Sequence, residues 1–182
     1  MGVTFKIEGL KDVYAAFEEL AADIGDKKAQ SKVLVPAARE AMQPVLNQAV
    51  ANAPADTGGL RLSLRVEARR PTKRDRRSKY ITDNDTVIAT VTTASGKQLA
   101  AMSEGAGLAR ARRKLKKMGV ENFDEFSGIK SDARTIAQEF GTAKHGAQPY
   151  LRPAIESQAE VTARTLGEIL GRRINQYKAK HK

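Results

Sequence analysis

The best strand in this sequence is Thr86-Val87-Ile88-Ala89-Thr90-Val91-Thr92-Thr93, β-branched and alternating with period two. A strand needs a partner for its backbone donors and acceptors. Arg65 to Arg69 offers one, joined to it by a long basic loop. Much of the rest carries apolar residues at three- and four-residue spacing, the mark of helices with one buried face. Helices that pack on one face of a small, mostly antiparallel sheet make an α+β fold.

Phe5 and Ile7 alternate with Lys6 and Glu8 as a short opening strand, broken at Gly9. Leu10, Val13, Tyr14, Phe17, Leu20, Ala21 and Ile24 form a helical face that Gly25 ends, and Asp26 can cap the next helix. That second helix is expected from about Lys27 to about Asn52, with Val33, Ala37, Ala38, Ala41, Val45, Ala49 and Val50 on a narrow small-residue face. Pro36 and Pro44 lie inside it, and each removes a backbone donor. The helix either starts near Pro36 and kinks at Pro44 or is broken, and apolar spacing that continues through Pro44 favours the kink. Pro54 ends it, and Asp56 or Thr57 caps a short helical turn over Gly59 to Leu64.

Gln98 to Lys117 reads as helix weakened in its middle by Gly105 and Gly107, and Asn122 to Phe126 as a short turn. Ala133 to Glu139 reads as a further strand ended by Gly141. Pro153 takes the first position of a terminal helix whose apolar face comprises Ile155, Ala159, Thr162, Ala163, Leu166, Ile169, Leu170, Ile174 and Tyr177. These elements are expected to form one α+β domain over residues 1–182, with a basic loop at 70–80 and an inserted excursion at 95–132.

Composition narrows the chemistry. The chain has no Cys, which excludes disulfides, thiolate metal sites and a cysteine nucleophile. With only His145 and His181, a zinc site would need carboxylates in unusual roles. Aromatic residues make up 5% with no Trp, so the core must be aliphatic and Ala-rich. No apolar run reaches the roughly 18 residues of a membrane helix, and the first residues carry no signal-peptide pattern, so folding in a cytoplasm is expected. The net charge of +11 is segregated: residues 61–117 hold 16 Lys+Arg against 5 Asp+Glu, and the remainder holds 16 of each.

Asp56-Thr57-Gly58 matches the tripeptide of aspartic proteases, which need two such carboxylates. There is one copy here, and Asn52-Ala53-Pro54-Ala55 is not an apolar strand leading into it, so a helix cap in a tight turn is the better reading. His145 beside Lys144 and near Glu139 suggests acid–base chemistry, but it sits in a Gly/Ala/Lys loop without a nucleophile and reads as solvated. The cations Arg69, Arg70, Lys73, Arg74, Arg76, Arg77 and Lys79, and Arg110, Arg112, Arg113, Lys114, Lys116 and Lys117, fit phosphate contact, an acidic protein rim, or solvated loops. Tyr80 is the only aromatic near them, which gives little sign of base stacking. Glu139-Phe140-Gly141-Thr142 and Pro149-Tyr150-Leu151-Arg152-Pro153 read as packing joints or part of a subunit interface.

Taken together these strings resemble the neck or tail-completion proteins of long-tailed bacteriophages. The resemblance rests on Phe5-Lys6-Ile7-Glu8-Gly9-Leu10, on Ala53-Pro54-Ala55-Asp56-Thr57-Gly58-Gly59-Leu60-Arg61-Leu62-Ser63, on Glu139 to Thr142, and on Pro149 to Ala154. It departs in the middle, where the basic loop and residues 95–132 exceed what the family's compact form needs. It implies a non-catalytic virion component with no cofactor, acting in tail completion and head–tail joining, as a ring subunit for which six-fold symmetry matches the tail tube. The implied partners are the connector, the tail terminator and the tail tube, with non-specific contact to genome DNA and no membrane. A tail terminator capping the tube, or a non-specific basic nucleic-acid-binding protein, is the alternative.

Overall fold

The computed structural model describes Glu18, Ala22 and residues 27–54, 58–128 and 133–181. The expected opening strand, most of the first helix with its Gly25 terminator and Asp26, and the capping pair Asp56 and Thr57 lie outside these residues. The fold is α+β, with a two-stranded antiparallel sheet, helices preceding it and a long terminal helix. In chain order come α1 (Lys27–Ala41), α2 (Gln43–Asn52), α3 (Gly59–Ser63), β1 (Leu64–Arg69), β2 (Ile88–Thr93), α4 (Gly96–Ala101), α5 (Gly105–Lys117), α6 (Ala133–Phe140) and α7 (Leu151–His181). None of the described helices is long and apolar enough to cross a membrane.

The hairpin expected from sequence is present, and the bond from the Ala94 N–H to the Ser63 carbonyl at 2.8 Å extends the β1–β2 pairing by one rung. Two strands alone are marginal in water, so this sheet depends on the helices. The second helix is interrupted at Met42, shortly before Pro44, and Pro36 lies within α1 rather than at its start. Pro44 has no N–H for the Glu40 carbonyl, which frees that acceptor just where the interruption falls. The excursion holds two helices rather than one, because Glu104 is extended at φ −138° and ψ 152°. Gly105 and Gly107 therefore lie in the first turn of α5 instead of mid-helix. A capping box at Ser95 and Gln98 starts α4. The largest correction concerns residues 133–140, which are helix and not strand. Ala, Arg, Gln and Glu in that stretch are all good helix formers, and they outweigh its short apolar alternation.

The chain clusters into two compact units, Met1–Val45 with Val66–Thr90 and Ser157–Lys182, and Leu46–Arg65 with Val91–Glu156. In the first, Val33, Leu34, Ala37 and Ala41 of α1 pack with Ile169, Leu170 and Ile174 of α7. Ala37 and Ala41 are almost fully buried, so it is their small size that lets the two helices approach. Glu40 accepts from Arg172 and, at 2.6 Å, from Arg173, tying the same two helices at their rim. Arg39 donates to the Ala68 carbonyl at 3.2 Å, which fixes α1 to β1.

In the second unit Leu62 of α3 packs with Ala111 and Leu115 of α5 and with Val120 and Phe126 beyond it. The excursion is thus part of this unit's core, and it supplies four of the five buried residues in that cluster. On α7 the expected apolar face is buried or half-buried from Ala159 onward, while Ile155 is exposed.

Candidate functional site

Both motif strings fall in the second unit, and each forms a corner between helices. At the first, Arg61 on α3 reaches back to the end of α2. Its Nε donates to the Ala53 carbonyl at 2.7 Å and its Nη2 approaches the Ala51 carbonyl at 3.5 Å. A cation on the last carbonyls of a helix satisfies acceptors with no intrahelical partner and suits the negative end of the helix dipole. Pro54 follows directly and is half-buried. The residue at the N-cap position of α3 is Gly58, at φ 72°, and among the described residues no side chain caps it by a hydrogen bond. A Cβ at Gly58 would lie 2.6 Å from Leu115 Cδ2 and 3.0 Å from Val120 Cγ2. The glycine is required both by its left-handed backbone and by the side chains of the excursion that close over it. Leu60 is half-buried, and Ser63 Oγ donates to its carbonyl at 2.7 Å.

At the second corner Gly141, at φ 76°, ends α6 with its N–H on the Ala137 carbonyl at 2.8 Å. Thr142 and His145 then form an isolated antiparallel bridge. The chain returns beside α6, with the Gln148 N–H on the Gln138 carbonyl at 2.9 Å and the two glutamine side chains bonded to each other at 2.7 Å. Pro149 is exposed.

Glu139, expected to end a strand, is buried and serves instead as the N-terminal cap of α7. Its Oε2 accepts from the Tyr150 N–H at 2.8 Å and the Leu151 N–H at 2.9 Å, and its Oε1 from the Arg152 N–H at 3.2 Å. Four N–H groups at a helix start lack intrahelical partners. Here the carboxylate takes three, and the fourth position is Pro153, which has no N–H to satisfy. Pro153 is therefore the third residue of α7 and not the first, and the Tyr-Leu-Arg-Pro sequence is the complement of a single buried carboxylate. Burial opposes the Glu139 charge, yet the N–H donors of Leu151, Tyr150 and Arg152, together with the Arg152 cation, outweigh it and hold the carboxyl below its ordinary value of 4.5. Both oxygens of Glu139 are engaged this way, and His145 is exposed.

The two corners meet where Asn52 Nδ2 at the end of α2 donates to the Tyr150 carbonyl at 3.4 Å. Tyr150 is fully buried. Burial, then the nearby Glu139 charge, pushes its phenol up to about 12. Its hydroxyl has no hydrogen-bond partner among the described residues. Tyr150→Phe should therefore leave stability unchanged or raise it by about 1 kcal/mol, because an unpaired buried hydroxyl is costly. A clear loss on urea unfolding would mean that the hydroxyl is bonded.

Two apolar side chains of the second corner face outward. Ile136 and Phe140, four residues apart on one face of α6, are 62% and 67% exposed. Phe140 is the aromatic of the Glu-Phe-Gly-Thr string, so this corner holds its carboxylate inside and presents its ring to solvent.

The basic residues separate into braces and outward charges. Arg69 holds Asp75 with two bonds, at 2.5 and 2.9 Å, and contacts Glu67 at 3.2 Å. Asp75 also accepts from the Thr72 N–H and hydroxyl at 2.7 and 2.6 Å. Bonding to Arg69 and then to Thr72 holds this carboxyl far below its ordinary value. Arg76 donates to the carbonyls of Thr82 and Asp85, and Asp85 in turn accepts from Thr82, first by its N–H, which lowers the Asp85 pKa. The stretch 70–85 thus holds two side-chain-closed turns, Thr72 to Asp75 and Thr82 to Asp85. Arg70, Lys73, Arg74, Arg77 and Lys79 remain exposed on it, Lys79 with its ammonium 5.0 Å from the Tyr80 ring centre. On α5, Arg112 turns inward to the Phe126 carbonyl at 3.0 Å and Lys116 lies 5.7 Å from the Phe123 ring centre, while Arg110, Arg113, Lys114 and Lys117 point away from the core.

Sequence reasoning read the two strings as joints, and their described residues lie at the ends of α2, α3, α6 and α7. It missed the capping role of Glu139, whose only signal was an acidic residue upstream of an x-Leu-Arg-Pro helix start. No protein-family model, no curated protein and no solved structure matches the chain.

Proposed function

We propose that this chain is a non-catalytic structural protein of a tailed-bacteriophage particle, acting at the neck in tail completion and head–tail joining as one subunit of a ring. The phage setting rests on the resemblance of the two motif strings. The physical support is the second corner. Glu139 binds the start of α7 from within, and the same turn of helix presents Phe140 and Ile136 to solvent. A large apolar pair on a braced support suits a docking knob, since interface energy concentrates in a few aromatic and aliphatic anchors. Its partner on this reading is a second copy of the chain, in the head-to-tail contact that closes a ring.

Phe140→Ser should leave the fold intact, because the ring is already exposed, and should shift the protein to smaller species in size-exclusion chromatography with light scattering. A wild-type chain that stays monomeric at every concentration and with neck proteins present would remove the ring. The phage setting is tested separately. Deleting the gene should leave filled heads beside unjoined tails, and normal infectious particles from that deletion would reject it.

A further inference from the structure

Helix α5 carries Arg110, Arg112, Arg113, Lys114, Lys116 and Lys117 and not one acidic residue. Its inner face is fixed by Ala111 and Leu115, which are buried, and by Leu108 and Met118, which pack against the same cluster. Arg112 and Lys116 lie toward Phe126 and Phe123, on the flank of that inner face. The remaining four, at positions i, i+3, i+4 and i+7, share the opposite face, and all four are exposed. Arg113 donates from Nε to the Ala109 carbonyl at 3.3 Å, a bond that does not use its two terminal nitrogens. Among the described residues none of the four forms an ion pair.

Such an arrangement works against the helix. Like charges three and four residues apart repel, at about 0.2 to 0.5 kcal/mol per pair. Only the last turn gains from the helix dipole, so Arg110 and Arg113 gain little. An external anion relieves the repulsion directly.

We propose that this face of α5 binds the phosphate backbone of duplex DNA without reading its sequence. The row from Arg110 to Lys117 rises about 10 Å, enough to meet successive phosphates of one strand. The face offers no aromatic side chain to stack on an unpaired base, which favours a duplex over a single strand. It has no Asn or Gln to read adenine edges, and although Arg and Lys can also pair with guanine, a row of four cations with no other polar side chain suits phosphates, whose contacts position rather than specify. It also lacks an apolar anchor: among the described residues the exposed large hydrophobics are Tyr80, Ile136, Phe140, Ile155 and Val161, none of them on α5. A protein interface centres on such anchors, and that weighs against an acidic protein partner. The inference goes beyond the assembly reading and stands without it, since a chain that forms no ring can still be titrated with DNA.

The test is fluorescence anisotropy of the full chain with a labelled duplex of mixed sequence, across about 50 to 200 mM salt. The wild type should bind at low salt, with log K falling linearly against log salt and equal affinity for an unrelated duplex. The variant Arg110→Gln, Arg113→Gln, Lys114→Gln, Lys117→Gln should bind at least about ten-fold more weakly at low salt, with the slope reduced by about 0.9 for each phosphate contact removed. Arg110→Gln alone, a change too small to disturb folding, should lower the slope by about 1. Substituting Arg70, Lys73, Arg74, Arg77 and Lys79 with Gln should cost less than the α5 variant. Unchanged affinity and slope in both α5 variants, a strong preference between duplexes, or no duplex binding at low salt would overturn the proposal. Binding of polyglutamate in place of the duplex would overturn it too and assign the face to an acidic protein.

Discussion

Replacing Glu139 by alanine should destabilise the second unit by about 3 kcal/mol, seen as a lower urea midpoint and as faster hydrogen exchange at the amides of Tyr150, Leu151 and Arg152. The magnitude follows from what is left behind. Three N–H donors at the start of α7 lose their acceptor, inside a corner where Tyr150 is fully buried and little water can replace it. Glu139→Gln should fall between the two, because it keeps one carbonyl oxygen but loses the charge. Acid should reproduce the loss. The carboxyl titrates below 4.5 in the folded chain, so its stabilisation is complete above that value and disappears as pH falls through the depressed folded pKa. The difference between wild type and Glu139→Gln should therefore be full at neutral pH and shrink on going well below pH 4.5. A gap that stays constant into acid, or an alanine variant with wild-type exchange at those three amides, would show that the carboxylate does not carry this corner.

Gly58→Ala should cost a similar amount, about 3 kcal/mol, from two separable sources. Alanine in the left-handed region costs about 1 to 2 kcal/mol by itself. The added Cβ would also stand 2.6 Å from Leu115 Cδ2 and 3.0 Å from Val120 Cγ2, so the core around Leu62 and Phe126 has to shift. Shortening Leu115 to alanine in the Gly58→Ala background should be less harmful than the sum of the two single changes, because the steric part is shared. Gly146→Ala is the matched control. It has open space for a Cβ and no positive φ, and should be neutral or slightly stabilising. Equal thermal midpoints for Gly58→Ala and the wild type would mean that the excursion does not close on this corner.

These two residues show where the sequence was readable. Gly58 is visible as a glycine in a turn, and Pro54 as a helix stop. That residues of the inserted excursion press on Gly58 is not visible, because Leu115 and Val120 arrive from a stretch that seemed separable from the body. Glu139 was harder still. The window around it alternates weakly enough to pass for a strand, and Ile136 and Phe140 would be assigned inward by any rule that buries apolar residues. The folded chain does the opposite, with the carboxylate inside and the two apolar side chains outside. The basic loop also changes character. Counted as charge it is a solvated run, but Asp75 and Asp85 collect its cations Arg69 and Arg76 into closed turns.

The sequence by itself determined the β1–β2 hairpin, the helix stop at Pro54, the apolar stripe of the terminal helix from Ala159 onward and the concentration of positive charge between residues 61 and 117. Each of these depends on neighbours within a few positions, through propensity, periodicity or a missing backbone donor. Only the tertiary structure decided that Glu139 caps a helix eleven to thirteen residues away, and which cations are spent on internal turns and which face outward. Those outcomes turn on desolvation and on donors brought close by folding, and a buried carboxylate is stable only where the distant N–H groups that satisfy it are already in place.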